Sequence, residues 1–258
     1  MGTISKALNL LNYFSEASPE IGLSEFRALS GKDKATVYRY LCELEESGFV
    51  EQDRATKRYR IGSAVLRLAN MREKTFPARD AVAPIVRSLS NELGELVHMS
   101  LLQGGMLSPL YHYDVGAHGV HVHYDEGEML PLHATASGIA VLAYSAPDFV
   151  QEFLGKPLPQ ITPKTPTNTE DLLGMIKRVH SQGYGEVSKT FDKDVASFAV
   201  PIFDSEQRVI GALAVAIPAA RSNREKKREI VHALKRAGNA VTQAFGGITP
   251  SNVERLTA

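Results

Sequence analysis

A single cysteine, Cys42, stands in a chain of 258 residues. That scarcity excludes an internal disulfide framework and any cysteine-rich zinc module, and it fits a reducing compartment. Net charge is missing too: 29 Lys plus Arg face 29 Asp plus Glu, so a surface for a polyanion has to come from local clustering. No run reaches about 18 apolar residues, and no membrane-spanning helix is expected. The opening MGTISKALNLLNYFSE lacks the basic, apolar and small-residue order of a signal peptide. Lys6 stands where a myristoylation signal needs Ser or Thr. A cytoplasmic protein without membrane contact is the expectation. Internal repeats, low-complexity tracts, a Gly-rich phosphate loop and a Ser/His/acid arrangement in a supporting context are also absent, so neither a catalytic residue nor a cofactor is expected. An apolar fraction of 43% still supports a core, with room for one large or two ordinary domains.

What is present begins with three short helices and a hairpin. The first helix is expected over Ile4 to Phe14, with Leu8, Leu11 and Tyr13 or Phe14 inward. The second runs over Ser24 to Leu29, with Ser24 as N-cap and Gly31 ending it, and the third over Lys34 to Ser47. Within KATVYRYLCELEESGFV, Val37, Leu41 and Leu44 recur at i, i+4 and i+7 and form a buried stripe, leaving Ala35, Thr36, Arg39, Cys42 and Glu43 across the helix. Lys34 and Arg39 come first and Glu43, Glu45 and Glu46 last, the unfavourable order for the helix dipole. That order serves something other than the stability of an isolated helix. In FVEQDRATKRYRIG, Phe49 to Gln52 and Arg58 to Ile61 alternate about a basic turn, as two strands of a wing would. Together these are the dimensions of a helix-turn-helix whose second helix enters a major groove about 12 Å wide. Lys34 and Arg39 suit phosphate or guanine edges, and Thr36 and Tyr38 suit phosphate or thymine. Arg54, Lys57, Arg58 and Tyr59 suit contacts from the wing. A three-helix protein-interaction domain with a basic face is the alternative. GSAVLRLANMREKTF then resumes helical spacing up to Pro77 as a linker helix.

The remainder reads differently. PARDAVAPIVRSLSNELG is an amphipathic helix, LVHMSLLQGGMLSPLYHYD two strands about Gly104 and Gly105, and GVHVHYDEGEMLPLH one strand more. ATASGIAVLAYS is an apolar helix, and TEDLLGMIKRVHSQGY another with Leu172, Leu173, Ile176 and Val179 on one side. VASFAVPIFDSEQRVIGALAVAIP supplies two strands, and SNREKKREIVHALKRAGNAVTQAF a closing helix. Helices bracketing hairpin-connected strands indicate an α+β domain with an antiparallel sheet. His112, His118, His121 and His123 form a cluster. His121 and His123, on one strand face with Asp125, could ligate a metal, but without a thiolate or a helical histidine pair solvated or ligand-lining imidazoles are preferred and no metal is assigned.

The segments SKALNLLNYF, LSEFRALSGKDKATVYRYLCELEESGFVEQDRATKRYRIG, LPLHATASGIAVLA and SQGYGEVSKTFDKDVASFAVPIFDSEQRVIGALAVAIP, in this order and spacing, resemble the IclR family of bacterial transcriptional regulators over nearly the whole chain. The resemblance implies a winged helix-turn-helix DNA-binding domain over 1–62, a linker helix over 63–76 and a GAF-like effector-binding domain over 77–250. It also implies a homodimer or dimer of dimers on a double-stranded operator. LHATASG matches the segment leading into a helix whose first amides help line the effector pocket, so Ala134, Thr135, Ala136, Ser137 and Gly138 become candidates. Such an N-terminus is physically an anion site. The plainer reading makes Ser137 a helix cap and Gly138 a point of close packing. VASFAVP matches the strand facing the pocket, adding Ser197. The chain departs from the common pattern there, with Ser197 where cysteine is frequent, Asp194 where glycine is and Thr190 where an acid is. The expectation is a ligand-responsive regulator, repressing a catabolic operon in response to a small organic acid. The alternatives are a GAF-like small-molecule enzyme and an interaction scaffold, each with an accessory helix-turn-helix.

Overall fold

A computed structural model supplies the fold and describes residues 2–15 and 17–254. The chain divides into two compact units, Met1–Pro77 and Ala78–Ala258.

The first unit runs α1 (Thr3–Leu8), a 3-10 turn (Asn9–Tyr13), α2 (Leu23–Ser30), α3 (Lys34–Glu46), β1 (Val50–Gln52), β2 (Tyr59–Ile61) and α4 (Ser63–Thr75). The expected single helix over Ile4 to Phe14 is thus broken. Tightening to three residues per turn rotates the inward positions, so Leu10 is buried while Leu8 is exposed. Ser24 is not the cap of α2. The helix starts one residue earlier, Gly22 is its N-cap, and the Gly22 amide donates to Glu25 Oε2 at 2.7 Å. Gly31 ends the helix in the left-handed conformation, φ 64°, where a side chain would be strained. Val37, Leu41 and Leu44 are buried as their spacing requires, and Tyr40 joins them. At the centre, Phe26 receives Tyr13, Phe14 and Tyr59 edge-on, the preferred geometry for aromatic quadrupoles. β1 and β2 form the wing, Val50 opposite Ile61 and Gln52 opposite Tyr59.

The second unit runs α5 (Ala78–Leu93), β3 (Leu96–Gln103), β4 (Met106–Tyr113), β5 (Leu130–Pro131), α6 (Ala136–Tyr144), α7 (Pro147–Leu154), α8 (Thr169–Gln182), β6 (Gly185–Ser188), β7 (Val195–Phe203), β8 (Val209–Pro218), α9 (Arg224–Ala244) and α10 (Ser251–Glu254). Its strands make one antiparallel sheet in the order β5-β4-β3-β8-β7-β6. Both faces are covered, so the central strands are mostly apolar and the two-residue period sorts side chains by size. Phe198, Val200, Ile202, Leu213, Val215 and Ile217 pack with α5 and α9. Ala199, Ala212 and Ala214 face α6 and α8, where small side chains let the apolar α6 lie close.

Three expectations need correction here. GVHVHYDEGEMLPLH does not form a strand beyond Leu130–Pro131. Within it Asp125 Oδ1 accepts the Gly127 amide and closes a local turn instead, which competes with ladder formation. His121 and His123 therefore share no strand face. Leu173 lies on the exposed side of α8 while Leu172, Ile176 and Val179 are buried. α7 and β6 were not anticipated. Among the described residues no helix is long and apolar enough to cross a membrane.

Candidate functional site

The first unit presents α3 through its cap. Asp33 Oδ1 accepts the Thr36 amide at 2.9 Å, fixing the start of the helix, and this hydrogen bond holds the Asp33 carboxyl below its usual range. Sequence reading began the helix at Lys34 and missed this cap. Opposite the buried stripe, Lys34, Tyr38 and Arg39 are exposed and Thr36 is half-buried. The Arg39 guanidinium sits 5.8 Å from the Tyr40 ring centroid, a cation–π distance that orients it on the surface.

At the wing tip Asp53 Oδ1 accepts the Ala55 and Thr56 amides, and Lys57 takes a positive φ of 59°. This turn leaves Arg54 and Lys57 exposed. The other two wing candidates are placed elsewhere. Tyr59 lies in the core, 1% exposed, and burial pushes its phenol up to about 12. Arg58 Nη2 donates to Glu20 O and Glu25 Oε2, both at 2.7 Å, so its guanidinium ties the wing to the start of α2. Arg60 was missed. It is exposed and donates to Glu51 across the hairpin at 2.6 Å.

In the second unit a cavity of about 170 Å³ lies on the α6 side of the sheet. Thr135, Ser137 and Ser197 line it together. Ala134, Ala136 and Gly138 do not, because they are packed into the core behind it. A Cβ on Gly138 would come 2.2 Å from Leu132 Cα, so Gly138 is a point of close approach. The helix cap is Thr135 rather than Ser137. Thr135 Oγ1 accepts from the Gly138 amide at 3.0 Å and donates to Pro131 O at 2.9 Å. Ser137 is 2% exposed, and its hydroxyl has no hydrogen-bond partner among the described residues.

The rest of the lining comes from segments far apart in the chain. Thr190, in the turn between β6 and β7, donates to Ala134 O at 2.6 Å and so pins that turn to the start of α6. His98 on β3 is buried, and that burial, reinforced by His112, pulls its imidazole down to about 4. Tyr124 lies between His98 and His112, with ring centroids 4.8 Å and 4.9 Å away. Burial pushes its phenol up to about 12. The 114–129 segment carrying Tyr124 is anchored through Arg221, which grips the buried Glu95 carboxylate at 3.0 and 2.6 Å and donates to Val120 O.

The histidines of that segment do not converge. His118 approaches Glu95, His121 approaches Asp114, and His112 Nδ1 lies 2.9 Å from Glu126 without the angle of a directed hydrogen bond. Among the described residues no three ligating groups are placed to hold a metal ion. A wider trough of about 930 Å³ along residues 163–178 is open to solvent and holds none of the predicted residues.

Comparison with known proteins agrees with this architecture. The IclR helix-turn-helix domain matches residues 3–54, and the C-terminal domain of bacterial IclR transcriptional regulators matches residues 74–243. The transcriptional regulator KdgR of Escherichia coli is 28% identical over 250 residues, 95% of this chain and 93% of its own. A protein of Silicibacter sp. TM1040, described as an IclR transcriptional regulator, is 45% identical, with 97% of this chain and 99% of its own superposed at a TM-score of 0.88. An IclR homologue from Microbacterium hydrocarbonoxydans, solved with 4-hydroxybenzoate, shares the fold at 22% identity and a TM-score of 0.73, covering 95% of this chain and 99% of its own. With two domain matches in this order, spanning the helix-turn-helix unit and the cavity-bearing unit, the chain belongs to the IclR family of bacterial transcriptional regulators.

Proposed function

We propose that the chain is a ligand-responsive repressor of a catabolic operon, acting in the cytoplasm as a homodimer or dimer of dimers on double-stranded operator DNA. One observation carries the DNA-binding part: Lys34, Tyr38 and Arg39 stand exposed opposite a stripe that the fold buries, so α3 offers its polar start as a free face. Lys34, Thr36, Tyr38 and Arg39 are assigned to the groove and Arg54 and Lys57 to phosphates. Arg58 and Tyr59 support the wing from within. Self-association is favoured by α4 and the residue after it, where Leu66, Leu68, Met71 and Phe76 are all exposed. Two tethered heads gain effective concentration on a two-part operator, and occupancy of a site overlapping a promoter is all that repression requires.

The effector is assigned to the cavity at the start of α6, with Thr135, Ser137 and Ser197 as its polar contacts. Its volume falls below the roughly 300 Å³ typical of sites for larger ligands, in keeping with a small organic acid. The 4-hydroxybenzoate held by the Microbacterium relative supports that size class. An enzymatic reading is weaker, since Ser137 and Ser197 make no hydrogen bond to a histidine among the described residues and no activated nucleophile results. The test is fluorescence anisotropy of the full chain on DNA from beside its own gene. A Lys34→Ala/Arg39→Ala variant that binds as the parent does, at the same salt, would remove α3 from the interface.

A further inference from the structure

Taking the cavity as the effector site, we propose that the effector is a small zwitterion, a carboxylic acid that also bears a positively charged nitrogen. Its carboxylate lies at the start of α6 and its nitrogen at the acidic side of the same cavity.

The anionic pole is set by α6. The first amides of a helix have no intrahelical acceptor and favour an anion. The unfilled hydroxyl of Ser137, 2% exposed and lining the cavity, adds a donor that protein groups do not use.

The opposite pole is set by charge. Asp125, Glu128 and Asp192 line this cavity, no Lys or Arg does, and its basic groups are the imidazoles of His98 and His123. Asp125 Oδ1 accepts the Gly127 amide and Asp192 Oδ1 the Asp194 amide. The Oδ2 atoms of both have no partner among the described residues. Burial and the neighbouring Asp125 raise the Glu128 carboxyl against the opposing pull of His123, as expected of crowded acids. A plain carboxylate would share the cavity with three carboxylates and no Lys or Arg. A cationic nitrogen removes that conflict. A divalent cation is a poorer occupant, because among the described residues no three ligating groups converge.

The test is isothermal titration of the full chain with matched pairs: β-alanine beside propionate, γ-aminobutyrate beside butyrate, and para-(aminomethyl)benzoate beside para-toluate. In at least one pair the amino acid should bind about tenfold or more tighter than its partner. In Asp125→Asn/Asp192→Asn, which keeps both Oδ1 acceptors, that preference should disappear while Ser137 and the start of α6 still hold the carboxylate. Ser197→Trp, which fills the cavity, should abolish binding of either kind. If the acids without nitrogen bind as tightly or more tightly, and Ser197→Trp abolishes it, the zwitterion is wrong and the acid effector stands. If binding survives Ser197→Trp, the cavity assignment fails as well. Silence from every pair also overturns the proposal, since the poles should capture at least one of these spans.

Discussion

The two units solve opposite electrostatic problems. In the first, the groups assigned to function are cations at the surface: Lys34, Arg39, Arg54 and Lys57 are exposed, and the core beneath them is apolar apart from the tips of Tyr40 and Tyr59. In the second, the assigned groups are neutral hydroxyls turned into a small cavity, backed by imidazoles and carboxylates. All eight histidines lie in the second unit and the single cysteine in the first. A surface for a polyanion tolerates substitution because water replaces a lost contact. A cavity inside a domain does not, because its lining is also the packing of the fold. The same kind of change should therefore damage different properties in the two units.

The largest effect is expected at Gly138. Of the two readings the sequence leaves for Gly138, effector contact or close packing, the position of Leu132 favours the second: a Cβ there lies 2.2 Å from backbone, so Gly138→Leu does not simply fill the effector site. The substitution should instead destabilise the second unit by more than about 4 kcal/mol. Calorimetry should show the second unit's transition lost or sharply lowered and the first unit's retained. A well-folded Gly138→Leu protein that merely fails to bind effector would restore the simpler view.

Phe26→Ala is the mirror experiment. Its ring is fully buried and meets three other aromatic rings edge-on, so truncation should cost the first unit about 3–5 kcal/mol. Operator binding should vanish while effector binding, measured by titration, stays within twofold of the parent, about 0.4 kcal/mol. Loss of both would show that the units do not fold independently.

Acid should separate the units without any mutation. His98 has a folded pKa near 4 against an ordinary 6.5, so as pH falls the unfolded chain takes up this proton first. The resulting stability is complete above pH 6.5, declines below it, and is lost by pH 4, amounting to about 3 kcal/mol. Glu25, Asp33 and Asp53 of the first unit are held below their usual range by hydrogen bonds. Their contribution is lost only as pH falls below the ordinary carboxyl values of 4.5 and 3.8. Between pH 6.5 and 4.5 the second unit alone should lose stability, and His98→Asn should flatten that slope. An unchanged slope in His98→Asn would shift the effect to other histidines.

The same contrast explains what could be read from the chain. α3 was legible because a single helical period separates Val37, Leu41 and Leu44 from Lys34 and Arg39. The sheet was legible because its strands are long and apolar. The first helix was misread because a change from α to 3-10 winding leaves no mark in composition yet exchanges Leu8 for Leu10. Of the cavity lining, Thr135, Ser137 and Ser197 were legible through family resemblance, and His123 beside Asp125 as a ligand-lining imidazole. His98, Tyr124 and Asp192 carried no such signal, because only the folded sheet brings their segments together. No local pattern announces them.

The smaller effects concern the reading head, where the comparison is sharpest between two arginines four residues apart. Arg39→Ala on α3 should weaken cognate DNA by about 1–3 kcal/mol more than random DNA. On the wing, sequence alone makes Arg58 a phosphate contact, yet its guanidinium already bonds Glu20 O and Glu25 Oε2. Arg54, exposed at the turn, is the better candidate for a phosphate. Arg54→Ala should weaken cognate and random DNA alike and lower the slope of log affinity against log salt by about 0.9, the value for one phosphate contact. Arg58→Ala should leave that slope nearly unchanged. It should lower the melting temperature of the first unit instead, because the wing loses its tie to α2. Anisotropy at four or more salt concentrations, beside thermal melts of both variants, distinguishes them. A slope that falls in Arg58→Ala and holds in Arg54→Ala would reverse the assignment and return Arg58 to the DNA surface.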